Sequence, residues 1–170
     1  MTQKEKSQRT VSAERIGKRA QLRPIGLIRS SIKQPSEAPK QGSEGAPDAW
    51  LKVSPLVAKG LLGLAGGDDI IVVTWLHLAR RDVLKVHPRS DRTKPLTGVF
   101  ATRSPDRPNP LGLHPVTVRE VKKNRLRIGP IEAVDGTLVV DIKPVHCGIT
   151  ELPKRFDQYA WADSLSKTTA

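Results

Sequence analysis

The sequence predicts an all-β fold, a barrel or a sandwich with one short helix and long loops. Three observations predict it. There are six to eight short apolar runs of strand length, separated by turn residues. Only one segment reads as helix. Strands and helices do not alternate, which argues against a doubly wound sheet.

The elements follow in order. Residues 1–21 are basic and polar and read as a flexible arm. The globular domain, 22–150, opens with a strand over Leu22–Ser30. Residues 33–48 hold three prolines and two glycines and form a long loop. Ala49–Val53 is a short strand. Ser54 then caps a helix over Pro55–Ala65, with Pro55 at its first position and Gly66-Gly67 at its end. Ile70–Leu78 is the strongest strand; its near-continuous apolar run predicts burial on both faces. Asp82–His87 pairs with it or extends it, and Leu96–Ala101 is a further strand. A proline-rich loop follows. Pro115–Val121 and Arg125–Gly129 flank a turn at Lys122-Lys123-Asn124. Ile131–Val134 and Thr137–Lys143 flank Asp135-Gly136, a strong hairpin signal. Residues 151–170, with Phe156, Tyr159 and Trp161, form a partly ordered extension that packs across an opening or a partner subunit.

The 170 residues suit one domain. No apolar run approaches the ~18 residues of a membrane helix. The first residues lack an apolar signal core, so the expected location is intracellular, the cytoplasm. A single cysteine, Cys147, leaves no internal disulfide and no cysteine-based zinc site. His146 beside it adds no ligand spacing, because neighbours on a strand point to opposite faces. No metal is expected. The net charge of +12 is unevenly spread. Residues 1–20 carry six Lys/Arg against two acids, and residues 80–127 carry thirteen against four. That distribution is the footprint of a polyanion binder, or else a solubilising surface.

The loop Thr102–Gly112 is the most informative stretch. Pro105, Pro108 and Pro110 restrict it, so it holds one shape at little entropic cost. Arg103, Asp106, Arg107 and Asn109 stand among them. They suit recognition of a charged, hydrogen-bonding ligand, and equally an internal network that braces the loop. His77 follows Ile71, Val73 and Trp75 at spacing two; it is either a rim histidine or a polar group at a barrel mouth. His87 and His114 each precede a proline and read as loop residues. No Ser/His/Asp or Cys/His arrangement supports nucleophilic hydrolysis. Gly60–Gly67 lies within a helix end rather than after a strand, so it is no dinucleotide loop. Glu132, Asp135, Asp141 and Lys143 are candidates for amine or ribose contacts, though Asp135 also simply makes a turn and Asp141 can pair with Lys143. The basic run Arg119–Arg127 reads as the solvated face of a hairpin that also suits phosphate contacts.

The run Gly98-Val99-Phe100-Ala101-Thr102-Arg103-Ser104-Pro105-Asp106-Arg107-Pro108-Asn109-Pro110-Leu111-Gly112-Leu113 resembles the hallmark segment of the TrmO (YaeB/TsaA-like) family. Ile25–Ser30, Ile70–His77 and Val134–Pro144 resemble, in order, its opening strand, central strand and closing hairpin. The resemblance covers roughly residues 22–145. It implies a small single-sheet β-barrel, usually a homodimer, that binds S-adenosylmethionine (SAM). It also implies methylation of the exocyclic amine of the modified adenosine next to the anticodon in tRNA. By the same resemblance, Lys40 and Gln41, His77 with Leu78, Arg103, Leu113, and Ile131 with Glu132 match cofactor-contacting positions. Arg107 and Asn109 match further members of the pattern and, with Lys143, are candidates for substrate contacts. Asp135 and Asp141 are the candidates for handling the amine proton. Lys40 stands where the family has Arg, which removes a bidentate fork. Leu78 stands where a polar residue is expected, the stretch before residue 49 is compressed, and the C-terminal domain of the longer bacterial members is not expected here. Two other functions fit the same residues: a non-catalytic SAM- or nucleotide-binding regulator, and a basic RNA-binding module without a small ligand.

Overall fold

The computed structural model describes residues 21–145, so the N-terminal arm, His146, Cys147 and the aromatic extension lie outside the described residues. Eight strands form: β1 (Gly26–Arg29), β2 (Ala49–Val53), β3 (Asp69–Trp75), β4 (Lys85–Val86), β5 (Thr97–Gly98), β6 (Leu111–Lys122), β7 (Arg125–Gly129) and β8 (Leu138–Pro144). Six of them close an antiparallel barrel in the order β1-β2-β7-β6-β3-β8, and β4 and β5 form a separate small hairpin. The single-sheet barrel is as expected.

Alternation builds the core. Ala49, Leu51 and Val53 of β2, Ile70 and Val72 of β3, Val116 and Val118 of β6, and Leu126 and Ile128 of β7 point inward and are buried. β3 is therefore buried on one face only. Ile71, Val73 and Trp75 lie half-exposed on the outer wall, contrary to the two-face burial its apolar run predicts. The strand also stops at Trp75, so His77 and Leu78 fall in the following turn.

The expected helix over Pro55–Ala65 is absent. Turns replace it, with one short 3-10 segment at Ala58–Leu61. Gly60 and Gly63 each weaken a helix by about 1 kcal/mol relative to Ala. Only Leu61 and Leu64 reach the core, while Leu56 and Leu62 are almost fully exposed, so little packing compensates. Asp82–His87 and Leu96–Ala101 reduce to β4 and β5, which pair with each other and not with β3. The hairpin expected at Asp135-Gly136 keeps its turn, with Gly136 at φ 81°, but not its ladder. Ile131 and Ala133 instead plug the core, while β8 pairs with β1 and β3.

β6 begins four residues before the expected start at Pro115. Proline lacks an N–H and is tolerated in strands at unpaired edges. At Pro115 β6 pairs only with β3, because its ladder with β7 starts at Thr117. The half-strand Leu111–Val116 is thus released from β7.

Strand directions gather three long connections at one end: 30–48, 76–110 and 130–137. The other end has the connection 54–68 and the tight turn at Lys123-Asn124. No helix among the described residues is long and apolar enough to cross a membrane.

Candidate functional site at the barrel mouth

The mouth is organised around a polar chain rising from the core. Thr74 and His114 are both buried, and the Thr74 hydroxyl lies 2.9 Å from His114 Nε2. His114 Nδ1 lies 2.9 Å from Glu132 Oε1. Burial pushes the Glu132 carboxyl up, but the His114 bond, a backbone N–H and the nearby Arg103 charge outweigh it and hold the group below its ordinary value. An ionised Glu132 accepts from His114 Nδ1–H, which leaves Nε2 to accept from the Thr74 hydroxyl. Every member is then satisfied, as a buried polar network requires.

Gly112 makes room for this chain. A Cβ built there would sit 2.5 Å from both Thr74 Oγ1 and His114 Nε2. Two loops fill the gap left where β6 departs from β7. Ile131 N–H donates to Pro47 O at 3.1 Å. At Gly42 a side chain would strike the Pro130 carbonyl, with Glu132 Oε2 3.2 Å away. The segment after Gln41 is therefore pressed onto 130–132.

Arg103 is exposed beside Glu132, with Nη2 donating to the Leu113 carbonyl at 3.2 Å. The remainder of its loop braces itself. Arg107 donates through Nε to Ser104 O (2.7 Å) and through Nη2 to Val99 O (3.1 Å) and Thr102 O (2.6 Å). Asp106 accepts from the Arg80 backbone N–H and Nε. Leu76 N–H donates to Pro110 O at 2.8 Å. The turn carrying exposed His77 and Leu78 is thereby stitched to the proline-rich loop. On the far side Arg89 grips Glu44 through two bonds of 2.9 and 3.0 Å.

The structure thus brings Gln41, Arg103, Leu113 and Glu132 together, with Lys40, His77, Leu78, Arg107 and Asn109 on loops of the same rim. Ile131 is fully buried, so only its backbone can face a ligand. Asp135 is at this end too, but it accepts from Lys33 Nζ (3.0 Å) and the Ser30 N–H (3.1 Å) and lies 3.6 Å from Arg29. The Lys33 bond above all lowers its pKa. Asp141 and Lys143 stand apart from the site. They lie along β8 opposite Val73 and Ile71, away from the rim, and pair with each other at 2.8 Å. That pairing holds the Asp141 carboxyl low. Thr74 and His114 were missed. The run Gly112-His114-Val116-Val118 carries the period-two signal, but Pro115 obscured it. Among the described residues no cluster of three or more His, Cys, Asp or Glu could hold a metal ion.

These features define a closed six-stranded β-barrel with a loop-rimmed polar mouth and, among the described residues, no helix beyond short 3-10 turns. The family model described as the tRNA-methyltransferase O N-terminal domain matches residues 27–149. The chain belongs to that family. A probable S-adenosyl-L-methionine-binding protein of Methanothermobacter thermautotrophicus is 42% identical over 131 residues, covering 77% of this chain and 93% of that protein. An S-adenosyl-L-methionine-binding protein of Archaeoglobus fulgidus is 40% identical, covering 72% and 86%. The crystal structure of TrmO from Pseudomonas aeruginosa superposes with a TM-score of 0.60 at 30% identity, covering 75% of this chain and 56% of that one. Another TrmO crystal structure gives 0.64 at 30%, covering 79% and 61%. The chain therefore spans about three-fifths of the solved TrmO chains it matches.

Proposed function

We propose that this chain is a SAM-dependent methyltransferase acting in the cytoplasm on the exocyclic amine of the modified adenosine next to the tRNA anticodon. The observation that carries the reading is the mouth itself. A fixed carboxylate, Glu132, stands beside a guanidinium, Arg103, within a rim that also presents apolar Leu78 and Leu113. That donor set fits a zwitterionic sulfonium nucleoside, which offers a carboxylate, an ammonium and ribose hydroxyls together with apolar parts. Glu132 would hold a hydroxyl or ammonium through Oε2, since Oε1 is engaged by His114. Arg103 would hold an anionic or carbonyl group with the donors that Leu113 does not use. Lys40, Gln41, His77 and Leu78 would close the rim.

Bound SAM supplies an already activated methyl group, so the protein's part is to align the acceptor and exclude water. The proline-braced loop holds Arg103 and Asn109 in place, which favours alignment over adjustment. An anticodon-loop base is the acceptor reached at least cost, because it can be splayed out without breaking a helix. Arg107 and Asn109 are the candidates for contacts to that substrate.

Calorimetric titration with SAM, followed by mass spectrometry of tRNA nucleosides from cells with and without the gene, tests the reading. Saturable SAM heat and loss of one methylated adenosine are expected. Absence of any heat at millimolar SAM would sink it.

One observation favours a second reading, a SAM-binding protein without catalysis. Both carboxylates proposed to take the amine proton, Asp135 and Asp141, are tied up in ion pairs. Normal SAM affinity with unchanged tRNA nucleosides would select it.

A homodimer fits the outer wall. Ile71, Val73 and Trp75 of β3 lie in register with Pro115, Leu113 and Leu111 of β6, forming an apolar stripe beside the mouth. Such a stripe is unusual on a monomer's surface. A second copy seated there would approach Arg103, which bonds the Leu113 carbonyl.

A further inference from the structure

The mouth and the apolar stripe belong to the β3–β6 side of the barrel. The opposite wall carries a different surface. Trp50 and Lys52 of β2 and Arg125 and Arg127 of β7 alternate with the buried Leu51, Leu126 and Ile128, so they face outward. Register sets them in two cross-strand rows. Arg29, Trp50 and Arg127 form one, nearest the mouth. Lys52, Arg125 and Lys122 form the other, nearest the turn at Lys123.

Trp50 sits among these cations, with Lys122 Nζ 5.8 Å and the Arg125 guanidinium carbon 5.6 Å from its ring centre. The ring face fixes both cations without neutralising them. Asp48 serves Arg119 (3.8 Å) and Arg127 (3.3 Å), and Glu120 serves Lys122 (2.6 Å). That leaves Lys52, Lys123 and Arg125 without a carboxylate partner among the described residues. The wall holds seven cations (Arg29, Lys52, Arg119, Lys122, Lys123, Arg125, Arg127) against Asp48, Glu120 and the Asp135 that reaches Arg29, a local charge of +4.

Like charges placed directly opposite one another on a sheet are destabilising. A wall kept only for solubility would interleave the two signs. Three cations in one cross-strand row, with an indole holding two of them, is the arrangement of a surface that awaits an anion. The two rows are stacked one above the other between the tight turn and the mouth. An extended polyanion laid across them would be led to the rim where a base would enter.

We infer that the β1–β2–β7 wall, with Lys52, Lys122 and Arg125 at its centre, docks the phosphodiester backbone of RNA. The choice of RNA rests on the methyltransferase reading; the charge pattern is independent of it. Each phosphate contact contributes a slope of roughly 0.7–0.9 to the dependence of log affinity on log salt. The triple variant Lys52→Ala, Lys122→Ala, Arg125→Ala should therefore bind bulk tRNA with a slope shallower by about two to three, and with affinity lower by roughly tenfold or more at low salt. A control triple, Lys59→Ala, Lys85→Ala, Arg92→Ala, removes the same charge from the β2–β3 connection and the β4–β5 hairpin. It should keep the wild-type slope, both triples should keep wild-type SAM heat, and neither should lower the thermal stability. Equal weakening by both triples would reduce the effect to net charge and overturn the inference. So would wild-type RNA affinity in the face triple, or a wild-type protein that prefers phosphatidylserine vesicles to tRNA. Salt-dependent tRNA binding lost only in the face triple, in a protein giving no SAM heat, would uphold the wall while refuting the methyltransferase reading.

Discussion

Gly112→Ala tests the polar chain at the mouth most directly. The added methyl would lie 2.5 Å from two atoms that hydrogen-bond each other, Thr74 Oγ1 and His114 Nε2. Neither is the free end of a flexible side chain. Thr74 is a β-branched residue of β3, and His114 is held at its other nitrogen by Glu132. Either the strands part or the bond breaks. Overpacking a filled core costs about 1–3 kcal/mol. A buried polar group left unpaired costs a similar ~1–3 kcal/mol. Since relief of one partly relieves the other, the expected loss is about 2–4 kcal/mol, or roughly 6–16 °C in Tm for a barrel of this size. Circular dichroism melts would measure it. Long-range histidine ring 15N spectra would report the tautomer, which should be Nδ1–H in the wild type and lose its fixed signature in the variant. Adding Thr74→Ala should recover part of the stability by making space, but not the tautomer signature. Unchanged Tm and unchanged ring shifts in Gly112→Ala would refute both the packing and the hydrogen-bond assignment.

Three further outcomes follow from the same geometry. Glu132 has its carboxyl held below the ordinary carboxylate value, so its contribution is complete above that range and is lost as pH falls through the folded value. The Tm gap between wild type and Glu132→Gln should therefore close as pH is lowered from about 6 to about 3; a pH-independent gap would contradict the assignment. Arg103 is exposed and makes one bond to the protein, so Arg103→Ala should leave Tm nearly unchanged while weakening SAM by roughly tenfold or more, the scale of a hydrogen bond to a charged group. Titration calorimetry beside a melt would separate that from a structural role, which would lower both. Leu111→Asp with Leu113→Asp places two carboxylates on the apolar stripe and should convert a dimer to monomer in sedimentation velocity without unfolding it; a wild type already monomeric at high protein concentration would remove the dimer reading.

The strands that could be read from the sequence are those whose alternation survives intact. β2 and β7 carry clean inward and outward sets, and their bounds matched. β3 misled because its outer residues are as apolar as its inner ones, so burial on both faces looked necessary when an apolar outer wall was the cause. The 131–134 segment misled for the opposite reason. Ile131 and Ala133 are buried like strand residues, yet they are carried in by a loop bonded to Pro47, which no local pattern encodes. The short helix failed because Ser54-Pro55 is a valid start signal for a segment whose internal glycines weaken a helix and which seats only Leu61 and Leu64 on the core, leaving Leu56 and Leu62 in solvent. At the site, proline spacing marked a loop that is braced by its own hydrogen bonds. It could not divide Arg107, spent largely on that loop's own carbonyls, from Arg103, left facing the mouth. That division depends on how the loop folds back on Val99, Thr102 and Ser104 for Arg107 and on β6 at Leu113 for Arg103.

Pro115 ties these points together. A residue with an N–H at this position could continue the β6–β7 ladder toward the rim, and the barrel would be closed by hydrogen bonds at its top as it is lower down. Pro115 removes the donor on that side, and β7 itself ends at Gly129, so the ladder starts at Thr117. The released half-strand must then satisfy its inward side by other means. His114 does so with a side chain that bonds in two directions, to Thr74 within the wall and to Glu132 on the incoming loop. Glu132 is consequently anchored by the strand it covers, with its second oxygen turned toward the segment after Gln41. The polar mouth is therefore a consequence of how the sheet fails to close at one corner. The residues most easily mistaken for punctuation, Gly112 and Pro115, are the ones that make the carboxylate available.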